Sequence, residues 1–133
     1  MYKTPLFWQI FSLLVVVALF HLTSTYFYWY WGMFWSHMVS HFLSGLLVAL
    51  AALWFYFLSG YIKHVPGRGS AFLIALFASA LVGLLWEVFQ LESSITFFAS
   101  PTYFFDTGAA FLMDVAGGLI GYAYFSYKGF PRV

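Results

Sequence analysis

Two histidines and several carboxylates have types and spacing that could hold a metal ion. His37 and His41 are four residues apart, so on a helix both imidazoles would project from one face. Imidazole nitrogen and carboxylate oxygen together suit divalent cations of borderline or hard character. One interpretation is therefore a divalent metal site, with five candidate ligands: His37, His41, Glu87, Asp106 and Asp114.

The same residues allow two other interpretations. A buried carboxylate beside an imidazole can carry protons or act as a general acid or base. Alternatively, hydrogen bonds between histidine and carboxylate hold helices together, each contributing about 1 kcal/mol. The residue types alone leave all three interpretations open.

The composition places these residues in a membrane protein. The 133 residues are 64% hydrophobic and only 7% charged, whereas a soluble domain carries about 25% charged residues. Aromatic residues make up 26% of the chain, and Trp and Tyr favour the membrane interface. Cysteine is absent, which excludes disulfides and thiolate ligands. No basic run or glycine-rich loop supports nucleic-acid binding. The apolar composition instead indicates that the chain is surrounded by membrane lipids.

Four apolar segments are long enough to cross a bilayer, and they predict an all-α polytopic bundle of about four transmembrane helices, forming one domain over residues 1–133. The predicted spans are residues 5–22, 36–58, 71–91 and 107–127. The aromatic stretch 23–35, interrupted by Gly32, predicts an interfacial loop or short surface helix. The first segment could instead be a signal peptide, but it lacks a small-x-small cleavage pattern, so we interpret it as a retained helix.

The positive charges predict the orientation, because Lys and Arg concentrate in cytoplasmic segments. In the four-span topology all five fall on one side, at the N-terminus, in the second loop and at the C-terminus: Lys3, Lys63, Arg68, Lys128 and Arg132. Both termini are therefore expected to be cytoplasmic. The candidate ligands then lie toward the non-cytoplasmic side.

Small residues continue the faces on which the polar candidates lie, and such faces let membrane helices approach closely. Three lines of residues four apart result: His37, His41, Gly45 and Ala49; Ala75, Ser79, Gly83 and Glu87; Ala110, Asp114, Gly118 and Tyr122. We expect the second, third and fourth spans to converge through these faces and bring His41, Glu87 and Asp114 together. The first span has no such line and should be peripheral. Asp106 and Thr107 could also cap the fourth helix.

Parts of the chain resemble the VanZ-like and YjdF-like small membrane proteins. The resemblance rests on His41-Phe42, on Trp86-Glu87 and on Asp114 followed by Gly117-Gly118, and it covers about residues 36 to 121. Asp114 stands where VanZ-like chains typically have Asn, which is closer to the YjdF-like branch. The resemblance implies a helical bundle with a polar site formed by His41, Glu87, Asp106 and Asp114. VanZ-like proteins are linked to glycopeptide resistance, but the resemblance implies no settled reaction.

These observations favour two classes of function. The first is a small membrane enzyme or cation-dependent protein that acts on a lipid-type substrate at the outer leaflet. The second is an accessory subunit of a larger membrane complex, bioenergetic or pigment-binding, in which the histidines hold helices together or ligate a haem or chlorophyll-type pigment. Proton or cation transport is a third class, and it would call for a homo-oligomer because one protomer is small.

Overall fold

The computed structural model describes residues 5–62, 67–93 and 101–128 of the chain. Within these ranges it contains five helices and no strand: α1 (Pro5–Tyr26), α2 (Trp29–Gly32), α3 (Phe34–Phe57), α4 (Arg68–Glu92) and α5 (Tyr103–Lys128). Four of them, α1, α3, α4 and α5, are long and apolar enough to cross a membrane. The predicted all-α transmembrane bundle is confirmed. The basic residues Lys3, Lys63 and Arg132 lie outside the described residues.

The helix ends differ from the predicted bounds by up to four residues, most at the end of α1 and at the start of α5. The aromatic stretch 23–35 is mostly helical, because α1 continues to Tyr26 and α3 begins at Phe34, with the short α2 between them. The break falls at Tyr28, whose left-handed backbone (φ 59°) ends the run of helical residues. Helix α5 begins at Tyr103, before the predicted start at residue 107. Asp106 therefore lies inside the first turn, where its backbone N–H donates to the Thr102 carbonyl. The prediction that Asp106 and Thr107 cap this helix is therefore wrong.

Helices α3, α4 and α5 pack through the small residues that the sequence places on their shared faces. Gly45 lies against the backbone carbonyl of Asp114, and Gly117 lies against that of Phe42, so neither position has room for a Cβ atom. Gly118 lies against the Ser79 side chain in the same way. Van der Waals packing of this kind, rather than apolar burial, drives helix association in lipid. The three helices therefore form the tight core of the bundle.

Helix α1 lies at the edge of this core and packs along α3. Its Phe7 ring stands 5.3 Å from the Trp54 ring, centroid to centroid, and Leu6 is its one buried apolar residue. The Gln9 side chain accepts a hydrogen bond from the Tyr124 hydroxyl of α5 (2.9 Å). Within the described part of the chain, no Cα atom of α1 comes within 8 Å of one in α4. This peripheral position agrees with the lack of a small-residue face on α1.

Candidate metal centre

His41, two turns into α3, is fixed by a carboxylate from another helix. The side chain is buried, and its Nδ1 lies 2.9 Å from Oδ2 of Asp114 on α5. An ionised carboxylate can only accept hydrogen bonds, so Nδ1 carries the proton in this pair. In a neutral ring the other nitrogen, Nε2, then presents a lone pair. Asp114 thus sets both the orientation and the tautomer of His41.

The Nε2 atom of His41 faces a second histidine and a carboxylate. It lies 2.9 Å from Nε2 of His37, one turn earlier on α3, and 3.8 Å from Oε1 of Glu87 on α4. One ligand atom from each of these three residues lies within 4.8 Å of the other two. Without a cation, the His37 ring donates its N–H to His41. The three side chains are therefore gathered around one point between α3 and α4.

The two oxygens of Glu87 have different surroundings. Oε2 accepts a hydrogen bond from the Thr107 hydroxyl of α5 (3.1 Å). Oε1, the oxygen that faces His41, is buried and has no hydrogen-bond partner among the described residues. A buried acceptor left without a partner costs about 1–3 kcal/mol. One oxygen is thus held in place by Thr107, and the other is free to ligate.

The two separations at His41 Nε2 are close to those between ligand atoms around a small divalent ion. Zn²⁺ binds nitrogen and oxygen at about 2.0–2.2 Å in tetrahedral sites, so adjacent ligand atoms are about 3.3–3.5 Å apart. The separations of 2.9 Å and 3.8 Å at His41 Nε2 lie on either side of that value. The contact between Asp114 and His41 is the carboxylate–histidine pair that commonly orients an imidazole ligand of a metal.

The five predicted ligands therefore separate into three groups. His37, His41 and Glu87 converge on one point, whereas Asp114 contacts the opposite nitrogen of His41 and supports it. Asp106 is half-buried in the first turn of α5 and interacts electrostatically with His37, but it does not belong to the converging group.

Sequence reasoning missed the role of Thr107, which it treated as a helix cap. Thr107 precedes Asp114 by seven residues, two turns of helix, and therefore shares its face. That spacing was the available signal. Gln90, one turn after Glu87, is also buried, and its Oε1 has no partner in the described ranges.

A second hydrogen-bond chain lies beside the cluster and ties α1 to α3. The Tyr30 hydroxyl lies 3.0 Å from Nδ1 of His21 and 3.0 Å from Oγ of Ser40. His21 and Ser40 both line a cavity of about 290 Å³, which also reaches His41 and Asp114. The cluster therefore adjoins this cavity through His41, the histidine that Asp114 orients.

Comparison with protein-family models, with curated proteins and with solved structures gives no match in any of the three. The resemblance to VanZ-like and YjdF-like proteins stays a prediction, and the arguments for function rest on the site itself.

Proposed function

We propose that this chain is a membrane protein that binds a divalent cation, Zn²⁺ first among candidates, through His37, His41 and Glu87, and that it acts on a lipid-type substrate. The observation that carries the proposal is the buried Oε1 of Glu87, which lacks a hydrogen-bond partner in the described structure and faces the His41 Nε2 atom. A cation at this point would ligate that oxygen together with both imidazoles.

The unpartnered oxygen argues for a cation over a purely structural cluster. Residues that only hold helices together are stabilised by completing their hydrogen bonds, as His41 and Asp114 do. Glu87 instead leaves an acceptor unsatisfied in a buried position, which is unfavourable by about 1–3 kcal/mol. A divalent ion would remove that penalty and would also balance the carboxylate, since no Lys or Arg contacts the cluster in the described ranges.

Three ligands converge among the described residues, and this number favours a reactive site over a closed structural one. Structural zinc sites use four protein ligands, whereas catalytic sites use three and leave one position open. When bound in such a site, a zinc ion supplies Lewis acidity and lowers the pKa of a water molecule. Asp114 would orient His41, and Thr107 would orient Glu87. The transmembrane location makes a lipid the accessible substrate class.

Metal analysis of the purified protein tests the proposal. Protein stripped with a chelator in mild detergent and reloaded with Zn²⁺ should retain one ion per chain after desalting. His41→Ala and Glu87→Gln should each lose the ion. Glu92→Gln, which changes an exposed carboxylate at the end of α4, the helix that carries Glu87, should keep it. Wild-type protein without stoichiometric metal, or equal loss in the Glu92 variant, would contradict the proposal.

The proposed orientation has the cluster on the non-cytoplasmic side. In support, Arg68 begins α4 and Lys128 ends α5, both at the end of the bundle opposite the cluster. Cysteines introduced at Gly67 and at Ser93 mark the two ends of α4. We expect Gly67→Cys to be labelled by a membrane-impermeant maleimide from the cytoplasmic face and Ser93→Cys from the other face. Labelling of both from one face would refute this topology.

The accessory-subunit function keeps one supporting observation, the apolar side chains that α1 exposes. Leu14, Val16, Leu19 and Leu22 are each about half exposed or more, and a partner helix could cover them. In that case a histidine could ligate a haem or chlorophyll-type pigment. An absorption spectrum of protein purified from its native membrane separates the two functions, because only the pigment-binding subunit would show a porphyrin-type band.

A further inference from the structure

The cavity beside the cluster has walls of two kinds. Its sides are mostly apolar, formed by Leu14, Val17 and Ala18 of α1 and by Val82 and Trp86 of α4, with His21 of α1 as a polar exception. Its back wall is polar and belongs to the core of the bundle: Ser40, His41, Ser44 and Asp114. At about 290 Å³, it matches the lower end of the range for small-molecule sites, roughly 300–1,000 Å³. An amphipathic molecule is the ligand that such walls fit.

The cavity is only partly enclosed, and the two helices that form its sides, α1 and α4, do not pack closely against each other. Across the described residues these two helices do not approach within 8 Å at their Cα atoms, and their rings meet at His21 and Trp86, with centroids 6.4 Å apart. A shallow apolar groove on α4, formed by Val82, Leu85, Trp86 and Phe89, shares two of these residues with the cavity. Val82 and Trp86 therefore border both the cavity and the apolar groove on α4.

The back wall offers hydrogen-bonding groups but no fixed positive charge. None of the described residues that line the cavity is Lys or Arg; two histidines, His21 and His41, line it, and Asp114 contributes a carboxylate. A phosphate or carboxylate headgroup would meet the Asp114 carboxylate, which contacts Nδ1 of His41, whereas the proposed cation would be held at Nε2, the other nitrogen of that ring. A hydroxyl group can both donate to a carboxylate and accept from a serine. The wall therefore favours a neutral alcohol over an anionic headgroup.

We propose that this cavity binds a neutral lipid alcohol, with its hydroxyl against Ser40, Ser44 and Asp114 and its hydrocarbon chain leaving between α1 and α4 along the α4 groove. A neutral lipid alcohol would be the substrate class of the proposed function. Its role as a substrate rests on that function, whereas its binding in the cavity does not. In the bilayer the gap is surrounded by hydrocarbon chains. A helix from a second copy would fit less well, because apolar side chains would then face the polar wall and leave it unsatisfied.

Photolabelling tests the proposal with a defined probe, a monoacylglycerol that carries a diazirine in its acyl chain, added to the protein in nonionic detergent micelles. Label should concentrate on the α1 and α4 peptides that contain Ala18 and Val82. Unlabelled hexadecanol should compete, and hexadecyl phosphate should not. Ala18→Phe should reduce labelling roughly fivefold or more, because the added ring fills the cavity. Ala123→Phe, an exposed alanine on α5 outside the cavity, should leave labelling unchanged.

The readouts separate this proposal from the metal site. Ala18 lies on the peripheral helix α1, which contributes none of the three ligands, so Ala18→Phe should keep its metal. A protein that labels as expected but binds no metal would refute the proposed cation function and retain the cavity assignment. A protein that binds metal but labels evenly over all helices, or equally in the two Phe variants, would overturn the lipid proposal.

Two further results would also overturn it. Equal competition by hexadecyl phosphate would reject the neutral alcohol class. Absence of label in the cavity, combined with disulfide formation between two copies of a Leu85→Cys variant, would assign the gap to a second copy of the chain.

Discussion

The α3–α4–α5 core and the first helix α1 are both strongly apolar, yet they are held in the bundle by different contacts. In the core, glycines at 45, 117 and 118 bring one helix directly against another, and buried polar side chains bond across the contacts. Helix α1 offers large side chains, most of them exposed, and it has a single buried apolar residue, Leu6.

The difference shows which property of a sequence produces packing in a membrane. Lipid chains are as apolar as leucine, so burying leucine against a neighbouring helix gains little. Close approach of backbones and hydrogen bonds between helices provide the association instead. The same contacts bring His41, Glu87 and Asp114 together, so the core and the candidate site have one structural origin. The loose attachment of α1 leaves the cavity beside it.

The largest expected effect is the loss of close approach in the core. Gly117→Leu would place a side chain against the Phe42 carbonyl and the Leu46 backbone nitrogen, which cannot move aside as a flexible side chain could. We expect a loss of about 3 kcal/mol or more in the free energy of unfolding. Gly108→Leu is the matched control, because nothing lies within 4 Å of that position on the same helix, and it should change stability by about 1 kcal/mol or less. Thermal unfolding in detergent measures both, and similar losses would refute the packing described for α5.

A second prediction compares the two carboxylates of α5. Asp114→Ala removes the acceptor that orients His41 and should weaken Zn²⁺ binding by about 10- to 100-fold, the usual effect of losing such a support. Asp106→Ala should have a smaller effect, because Asp106 lies outside the converging group. Titration of the stripped protein with Zn²⁺ in the presence of a competing chelator measures both affinities. A larger loss in the Asp106 variant would restore the sequence-based assignment of Asp106 as a ligand.

A third prediction concerns coupling across the core. Glu87 and Asp114 both contact His41, so Glu87→Gln and Asp114→Asn should depart from additivity by about 0.5–3 kcal/mol in a double-mutant cycle of stability. The cycle of Glu92→Gln with Asp114→Asn should be additive within about 0.5 kcal/mol, because Glu92 is exposed at the end of α4. Strict additivity in the first cycle would show that these two residues do not share a site.

The smallest effect is expected on the first helix. Val16 of α1 is 52% exposed, whereas Leu53 of α3 is fully buried. Val16→Ala should change the free energy of unfolding by about 0.5 kcal/mol or less, and Leu53→Ala should reduce it by about 2 kcal/mol, because it leaves a cavity in the packed core. Equal losses on melting in detergent would mean that α1 is as tightly packed as the core.

The core can be predicted from the sequence because two simple patterns determine how helices span and pack in a membrane. Apolar segments of sufficient length indicate the spans, and small residues four apart indicate the faces, so Gly45, Gly83 and Gly118 are buried as their spacing implies. The same spacing places His41, Glu87 and Asp114 at one level. Local patterns that repeat with the helix period are thus sufficient for this part of the molecule.

Features that depend on helix ends or on gaps could not be predicted in this way. The start of α5 at Tyr103 moves Asp106 into the helix and away from a cap, and aromatic residues give no clear signal for where a helix begins. The division of the carboxylates into a ligand, Glu87, and a support, Asp114, depends on which imidazole nitrogen each faces. The space between α1 and α4 exists because these two helices do not pack against each other. Helical periodicity indicates which faces make contact, but it does not indicate where two helices stay apart.

The distribution of the cluster over three helices has a consequence for membrane insertion. Synthesis proceeds from the N-terminus, so α3 and α4 enter the bilayer with His41 and Glu87 before Asp114 and Thr107 of α5 exist to bond them. Of the four spans, α5 is the least apolar, and it carries Asp114 near its middle. His41 and Glu87 of the earlier helices therefore provide hydrogen-bond partners for α5 when it enters the membrane. We expect that these contacts retain α5 in the membrane more than its own hydropathy does.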